Sequence, residues 1–552
     1  MSDTSLEVGR VVAAAWSRVL KVEQVDPDAD FFELGGDSLG AARVCAAIQA
    51  RTGQSLTLRQ FVANRTLRGL SSLLASMPQR PVSAVHVNAG QAEQAEQAEQ
   101  AEPRTLPVLP AQEIYLRREA WSKKSGVTDN GHAVVETLRF TGTLDTDALG
   151  TAVTRVGRHH AALRARFGVG SQDDDYVIWI SDEDVWLRIH ETNAIEYAWK
   201  AFDQAHRVRR DRLARLPLCG FDLYPLSEDD HILIIWVDHM VSDSWSFAVL
   251  VDDLAIQYNA ALKGLDEPLR GDLTYERFHA DRLAWQRSDE AAAARAFWHD
   301  ALKEVGPDPE VDFLGAPRGD RPPAEGQDEI RVPVPPAVYA PSAALPGATP
   351  YAVFCAAMAM ALGRHSGRTH IGIIASVALR RDPALERLVG WVSNSIVIPV
   401  ELDPRATLGE LAGQVSSFVI SAQDYGTYGR NSLIRELDPL KSEVVRRHSG
   451  AFVATVSSQA DDGDEPFDGL RTQSLPWTRG FSRHGITCVL YPSAAAVATV
   501  GLEAGWLSEQ RRRQLGDDLA IALRMLPGEP AATVGQALSA MSGPDDWFAE
   551  EA

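Results

Sequence analysis

HILIIWVDHMVSDSWS, residues 231–246, decides how the larger part of this chain is read. Ile232 to Val237 form a continuous apolar run, as expected of a buried strand. Beyond Asp243, the residues Phe247, Leu250, Val251, Leu254, Ala255 and Tyr258 recur at helical spacing. The segment DHMVSDS is therefore a strand-to-helix loop, a common place for catalytic groups. It offers one histidine, His239, between two aspartates, Asp238 and Asp243. A histidine there titrates near neutrality and can move a proton. The aspartates can do chemistry or hold the turn, and the residues alone leave both open.

Working outward, the mixture of elements continues. DYVIWI (175–180), VWLRIH (185–190), HIGIIASV (370–377), NSIVIPVEL (394–402), GAFVATVSS (450–458) and ITCVLYP (486–492) read as further strands. AAAARAFWHDAL (291–302), TPYAVFCAAMAMALGRHS (349–366) and QRRRQLGDDLAIALRML (510–526) read as helices. This is too much for one compact core, and it predicts two α/β lobes, about 105–285 and 286–545. Upstream, four QAE triplets fill residues 91–102. They carry no large apolar residue to offset their ordering entropy, so 78–104 reads as a flexible linker. It separates the large unit, 105–545, from a small one, 1–77. An acidic tail closes the chain at 546–552.

The small unit reads as an all-α bundle. Val8, Val11, Val12, Ala15, Trp16 and Val19 share one helical face, and SLGAARVCAAIQART (38–52) and RQFVANRTLRGLSSLLASM (59–77) supply more helix. Between them lies FFELGGDSLG, residues 31–40. Gly35 and Gly36 permit a close backbone approach, and Asp37 can cap the helix that begins at Ser38. Ser38 thus stands at a helix N-terminus, where N–H groups and the dipole favour an added phosphate. A second capping hydroxyl is an equal reading of the residues alone. The segment, however, resembles the GGDSL attachment site of peptidyl and acyl carrier proteins. That resemblance implies a four-helix carrier bundle over 1–77. It also implies 4′-phosphopantetheine on Ser38, added by a phosphopantetheinyl transferase and holding an aminoacyl, peptidyl or acyl thioester.

The large unit resembles the condensation domains of non-ribosomal peptide synthetases. VDHMVSDSWS resembles their HHxxxDG core. LPAQEIYL (109–116), RHHAALRARF (158–167), TYERFHADRLAWQ (274–286) with FWHDAL (297–302), and SVALRRDPALERLVGWVSNS (376–395) resemble flanking motifs in the family's order. The implied fold is two-lobed and of the chloramphenicol acetyltransferase type. The implied reaction transfers an acyl group from a thioester to an amine, forming an amide. By this resemblance His239 is the catalytic histidine, and Asp243 is a structural aspartate paired with Arg380. The backbone around Asp243 and Ser244 is a candidate donor to the carbonyl oxygen. His159 and His160 are adjacent, but no aspartate follows them at the required spacing.

Two positions depart from the family pattern. Asp238 replaces the first histidine and reads as a substrate-tuning residue. Ser244 replaces the glycine, which implies a narrowed channel or a changed backbone freedom of the loop. Asp238, Asp243 and Ser246 also spell DxxxxDxxS, the motif of heterocyclization domains acting on Cys, Ser or Thr. His239, Arg380 and Asn394 favour condensation over that alternative, and over a catalytically silent docking relative. No segment reads as an adenylation domain. An upstream adenylation enzyme and a downstream acceptor carrier protein are therefore expected partners, the latter with docking through the tail SGPDDWFAEEA.

Composition excludes other classes. Lys and Arg number 54 against 75 Asp and Glu, a net charge of −21 that repels nucleic acid and anionic membrane alike. No apolar run nears the ~20 residues of a bilayer span, and no signal peptide opens the chain, so a cytoplasmic location is expected. Cys45, Cys219, Cys355 and Cys488 lie far apart with no CxxC, which predicts reduced core cysteines and neither disulfide nor metal site.

Overall fold

The computed structural model describes residues 3–542 apart from short gaps and longer breaks at 78–104, 126–132, 192–216, 306–329, 438–450, 456–464 and 476–485. The QAE linker and the C-terminal tail lie outside the described residues, as do Gly35, Gly36 and Asp37.

The first unit is a helical bundle of α1 (Asp3–Leu20), α2 (Ser38–Thr52), α3 (Leu58–Ala63) and α4 (Leu67–Ser76). Trp16 on α1, Phe31 and Phe32 in the loop, and Phe61 on α3 form its aromatic centre. The rings of Trp16 and Phe61 each lie 5.0 Å from that of Phe31 in edge-to-face contact. All four are buried, each contributing about 1.5–3 kcal/mol. Phe31 and Phe32 are thus held by the same core that holds the helices. Ile420 of the large unit packs against this core, and α2 touches the 383–385 turn.

The large unit has the two expected lobes. β1 (Leu106–Pro107) and α5 (Pro110–Ser125) open the first lobe. There follow β2 (Ala133–Thr141), α6 (Thr146–His159), β3 (Ala165–Val169), β4 (Tyr176–Ile180), β5 (Leu187–Ile189), β6 (Cys219–Ser227), β7 (Asp230–Asp238) and α7 (Ser244–Leu262). α8 (Tyr275–Trp285) and α9 (Asp289–Ala301) lead into the second lobe. The rest of the chain contains β8 (Ile330–Val334), α10 (Pro350–Ser366), β9 (His370–Ala378), β10 (Ser393–Glu401), α11 (Leu408–Tyr425), α12 (Gly429–Leu437), β11 (Ala451–Thr455), β12 (Arg471–Ser474), β13 (Ile486–Tyr491), β14 (Ala498–Glu503), α13 (Glu509–Gly528) and α14 (Val534–Ser539).

The first lobe is built on a five-stranded sheet of order β12-β2-β7-β6-β5, and the second on a six-stranded sheet of order β10-β9-β11-β13-β14-β8. β7 is the central strand of the first. Leu233, Ile235 and Val237 enter the main core under α6 and α7, while Ile232, Ile234 and Trp236 cover the opposite face. This two-sided burial explains the unbroken apolar run. α10, apolar all round, is the centre of the second core. β12 comes from the second half of the chain yet pairs with β2, Thr472 opposite Phe140. The lobes are therefore not divided cleanly at residue 285. All four cysteines are buried thiols, and burial pushes those of Cys219 and Cys355 up to about 12.

Candidate active site

β7 ends at Asp238, and its last residue pairs with Ala133 of β2. The chain then makes a 3₁₀ turn, His239–Val241, and enters α7 at Ser244. His239 thereby emerges from the end of a central strand, at the junction between the lobes. Its ring lies 4.8 Å from that of Trp391, which in turn meets Tyr115 edge-on at 5.3 Å.

The turn is held by residues far away in sequence. Gln112, in the opening motif, donates Nε2 to Met240 O (2.8 Å) and to the Tyr275 hydroxyl (3.2 Å). Its Oε1 accepts from Leu109 N. Asp238 caps the turn: its carboxylate accepts from Met240 N (2.9 Å), and its own N–H donates to Leu218 O (2.7 Å). One oxygen of the residue expected to tune substrate is therefore committed to shaping the loop, in the manner of an N-cap.

Asp243 caps α7 in a reciprocal box with Ser246. Its Oδ2 receives Arg380 Nη1 at 2.5 Å and Val392 N at 3.1 Å. Arg380 also donates to Leu388 O (2.9 Å) and to Ser246 Oγ (3.3 Å). Both Asp243 and Arg380 are 3% exposed. Burial pushes the Asp243 carboxyl up, but the Arg380 charge and the hydrogen bonds from Arg380 and Ser246 outweigh it and hold the group below the ordinary carboxylate value. The Asp243 N–H donates to Ser246 Oγ (3.3 Å), so this half of the expected oxyanion donor is engaged within the cap. Ser244 is the first residue of α7. Helical backbone needs no glycine freedom, so serine at this position leaves the loop conformation intact.

Further contacts, most of them between residues far apart in sequence, close this loop onto the second lobe. Ser246 Oγ donates to Gly390 O (3.0 Å) and accepts from Gly390 N (3.2 Å), closing α7 onto the 379–392 segment. A Cβ at Gly390 would lie 3.2 Å from the Tyr275 ring. Trp245 Nε1 donates to Glu386 O (2.9 Å). Arg387 pairs with Asp252 (2.7 Å) and Asp253, and the Asp253 carboxylate accepts from His160 Nε2 (2.8 Å). His160 is buried; desolvation lowers its pKa against the pull of Asp253. It belongs to this strap, not to the chemistry. Asn394 donates to the carbonyls of Gly426 (3.0 Å) and Thr427 (3.1 Å). The segment 379–392 thus leaves the second lobe, lies across α7, and inserts Val389 and Trp391 into the first lobe's core.

Ser38 is the first residue of the 15-residue helix α2, downstream of the anchored Phe31–Phe32 pair. A helix start fits a phosphate ester, since N–H groups there lack intrahelical acceptors.

Comparisons with known proteins show the family and the fold. Residues 104–466 match the family described as "Condensation domain", and residues 10–74 match "Phosphopantetheine attachment site". The chain belongs to the condensation-domain family and carries a phosphopantetheine attachment domain ahead of it. Malpibaldin synthetase of Mortierella alpina is 28% identical over 423 residues, 75% of this chain and 7% of that protein. Isonitrile lipopeptide synthase of Mycobacterium tuberculosis is 27% identical over 450 residues, 77% of this chain and 17% of that protein. The chain thus spans a small fraction of each. Among solved structures, the X-domain from teicoplanin biosynthesis aligns with TM-score 0.66 and 20% identity, covering 79% of this chain and 98% of that one. The first condensation domain of the calcium-dependent antibiotic synthetase, in complex with a substrate analogue, aligns with TM-score 0.62 and 20% identity, covering 78% and 98%. These likenesses establish the fold. No helix among the described residues is long and apolar enough to cross a membrane.

Proposed function

We propose that this chain forms amide bonds, with His239 as the residue that orients or deprotonates the attacking amine. The observation that carries the reading is convergence. The motifs at 109–116, 237–246, 274–286 and 376–395 meet at the turn that presents His239. An α-ammonium must lose a proton before it attacks, and an imidazole near its pKa assists. Holding both reactants between the lobes contributes through proximity. Ser38 is the attachment point for the phosphopantetheine, which when bound supplies the thioester. The contact of α2 with the 383–385 turn, part of the strap over α7, supports a carrier that works beside this site. An adenylation enzyme that loads the carrier, an acceptor carrier protein and a phosphopantetheinyl transferase are the partners this reading requires.

Condensation is favoured over heterocyclization because both aspartates of DxxxxDxxS are engaged structurally, Asp238 with Met240 N and Asp243 with Arg380. The test is intact mass after loading Ser38 and incubating with an aminoacyl acceptor carrier. The expected product retains its full water count as an amide. Ser38→Ala abolishes loading, and His239→Ala lowers transfer by roughly 10²–10⁴, the usual reach of a general base. Loss of a further water, dependent on Asp238 and indifferent to His239→Ala, would sink this reading in favour of a heterocyclase.

A further inference from the structure

Arg282 lies on α8 and is half-buried. Its Nη2 donates to Thr427 O (2.9 Å), and its guanidinium carbon sits 5.4 Å from the Trp285 ring. Among the described residues no carboxylate pairs with it. Burial alone acts on the group, lowering it to about 10, so it stays charged at neutral pH. A guanidinium withdrawn from water without a counter-charge is costly to the fold. It is also unexpected in a chain of net charge −21, where carboxylates are plentiful.

Arg282 lines a cleft between the lobes together with Gln112, Trp391, Asn394 and Asn431. Trp391 is also the ring that lies tilted against His239, with centroids 4.8 Å apart. One indole therefore separates the cleft from the histidine. Asn394 and Arg282 both donate to Thr427 O, which fixes the guanidinium along the wall. What remains is a planar cation, amide side chains and an aromatic face beside the proposed reacting group.

We propose that this cleft binds a carboxylate borne by one of the two reactants, with Arg282 as its counter-ion. The inference deepens the amide-forming reading by naming a substrate class, and it rests on that reading only for calling the ligand a reactant. The short path to His239 through a single ring favours a carboxylate on the reactant itself over the phosphodiester at the far end of a carrier arm. An Arg–carboxylate pair here would be charge-assisted and shielded from water, the setting in which such bonds discriminate most.

The test measures binding, not turnover, by calorimetry on the full chain. The probes are the N-acetylcysteamine thioesters of aspartate and of asparagine, which differ in charge and hardly in shape, and pantetheine 4′-phosphate against pantetheine. The expected result is at least tenfold tighter binding of the aspartyl thioester. That ratio collapses towards one in Arg282→Gln, is partly restored in Arg282→Lys, and is unchanged in His239→Ala. A ratio near one in the native chain, absence of binding by both thioesters, a preference confined to the phosphate pair, or a preference surviving Arg282→Gln overturns the proposal. So does an Arg282→Gln chain that does not fold, since the arginine would then be structural. Failure of amide formation leaves this binding result untouched, and the reverse holds as well.

Discussion

Two arginines at the lobe junction make opposite bargains with their surroundings. Arg380 is enclosed by partners: the Asp243 carboxylate, Ser246 Oγ and Leu388 O. Arg282 has one backbone carbonyl and an aromatic ring. Both are removed from bulk water to a large degree, but only the first is matched in charge. A matched buried charge is a structural fastener whose partners are all internal. An unmatched one at a cleft wall is a site whose partner comes from outside. The comparison separates two roles that residue type alone would merge.

The comparison breaks most visibly at Asp243. Asp243→Ala leaves Arg380 buried without its counter-charge and is expected to cost about 3–5 kcal/mol in chemical denaturation. Asp243→Leu combined with Arg380→Met should cost less than the single change, because no orphan charge remains. Arg282→Gln should leave the midpoint unchanged or raise it. An Asp243→Ala chain of native stability would remove the distinction drawn here.

Acidification provides the next test, through a neighbour of Arg282. His279, on the same helix, is fully buried against Tyr275 and Phe278. Burial first, with the Arg282 charge adding to it, lowers its pKa to about 4. Between the unfolded value of about 6.5 and that folded value the unfolded chain binds more protons, so stability falls as pH drops through this window. The slope approaches about 1.4 kcal/mol per pH unit for one such group. His279→Phe should flatten the profile there, and Arg282→Gln, by removing a charge that lowers the His279 value, should raise the lower end of the window and reduce the total decline without abolishing it. Asp243 follows a separate course: its depressed carboxyl stabilises above the unfolded value of about 3.9 and that contribution is lost only below it.

The smallest expected effect is at Ser246. Ser246→Ala leaves Gly390 N and O without their shared hydroxyl and should cost about 1–3 kcal/mol. Thermal melts resolve a change of that size. Because Ser246 fastens the strap rather than touching reactants, amide formation by the folded variant should stay within a fewfold of the native rate.

What could be read from the sequence followed how local each signal is. β7 and α10 were legible because burial on all sides writes a continuous apolar run. β2 was not, because AVVETLRFT interrupts its apolar residues with Glu136, Thr137 and Arg139. The partners of Glu136 and Arg139, Ser474 and Asp230, come from other strands. The Asp243–Arg380 pair came from family resemblance, not from spacing, since 137 residues separate the two. Ser246 stood out in the sequence only as the last residue of DxxxxDxxS; it caps α7 with Asp243, and its bonds to Gly390 span 144 residues and leave no local trace. Arg282 was hidden by its setting: beside Arg277 and Asp281, which pair with each other at 3.0 Å, it reads as part of a solvated charged face.

The short strand β12 carries a consequence for how this molecule can be cut and rejoined. It supplies the outer edge of the first lobe's sheet from a point more than 300 residues after β2 in the chain. A fragment ending near residue 285 would leave β2 as a bare edge, its N–H and C=O groups open to any other strand. Such a fragment should self-associate, and adding a peptide spanning 465–475 in trans should suppress that. Grafting one lobe onto a relative's other lobe therefore means exchanging two separate pieces of chain, and a single crossover would produce a hybrid with a foreign strand sewn into its first sheet.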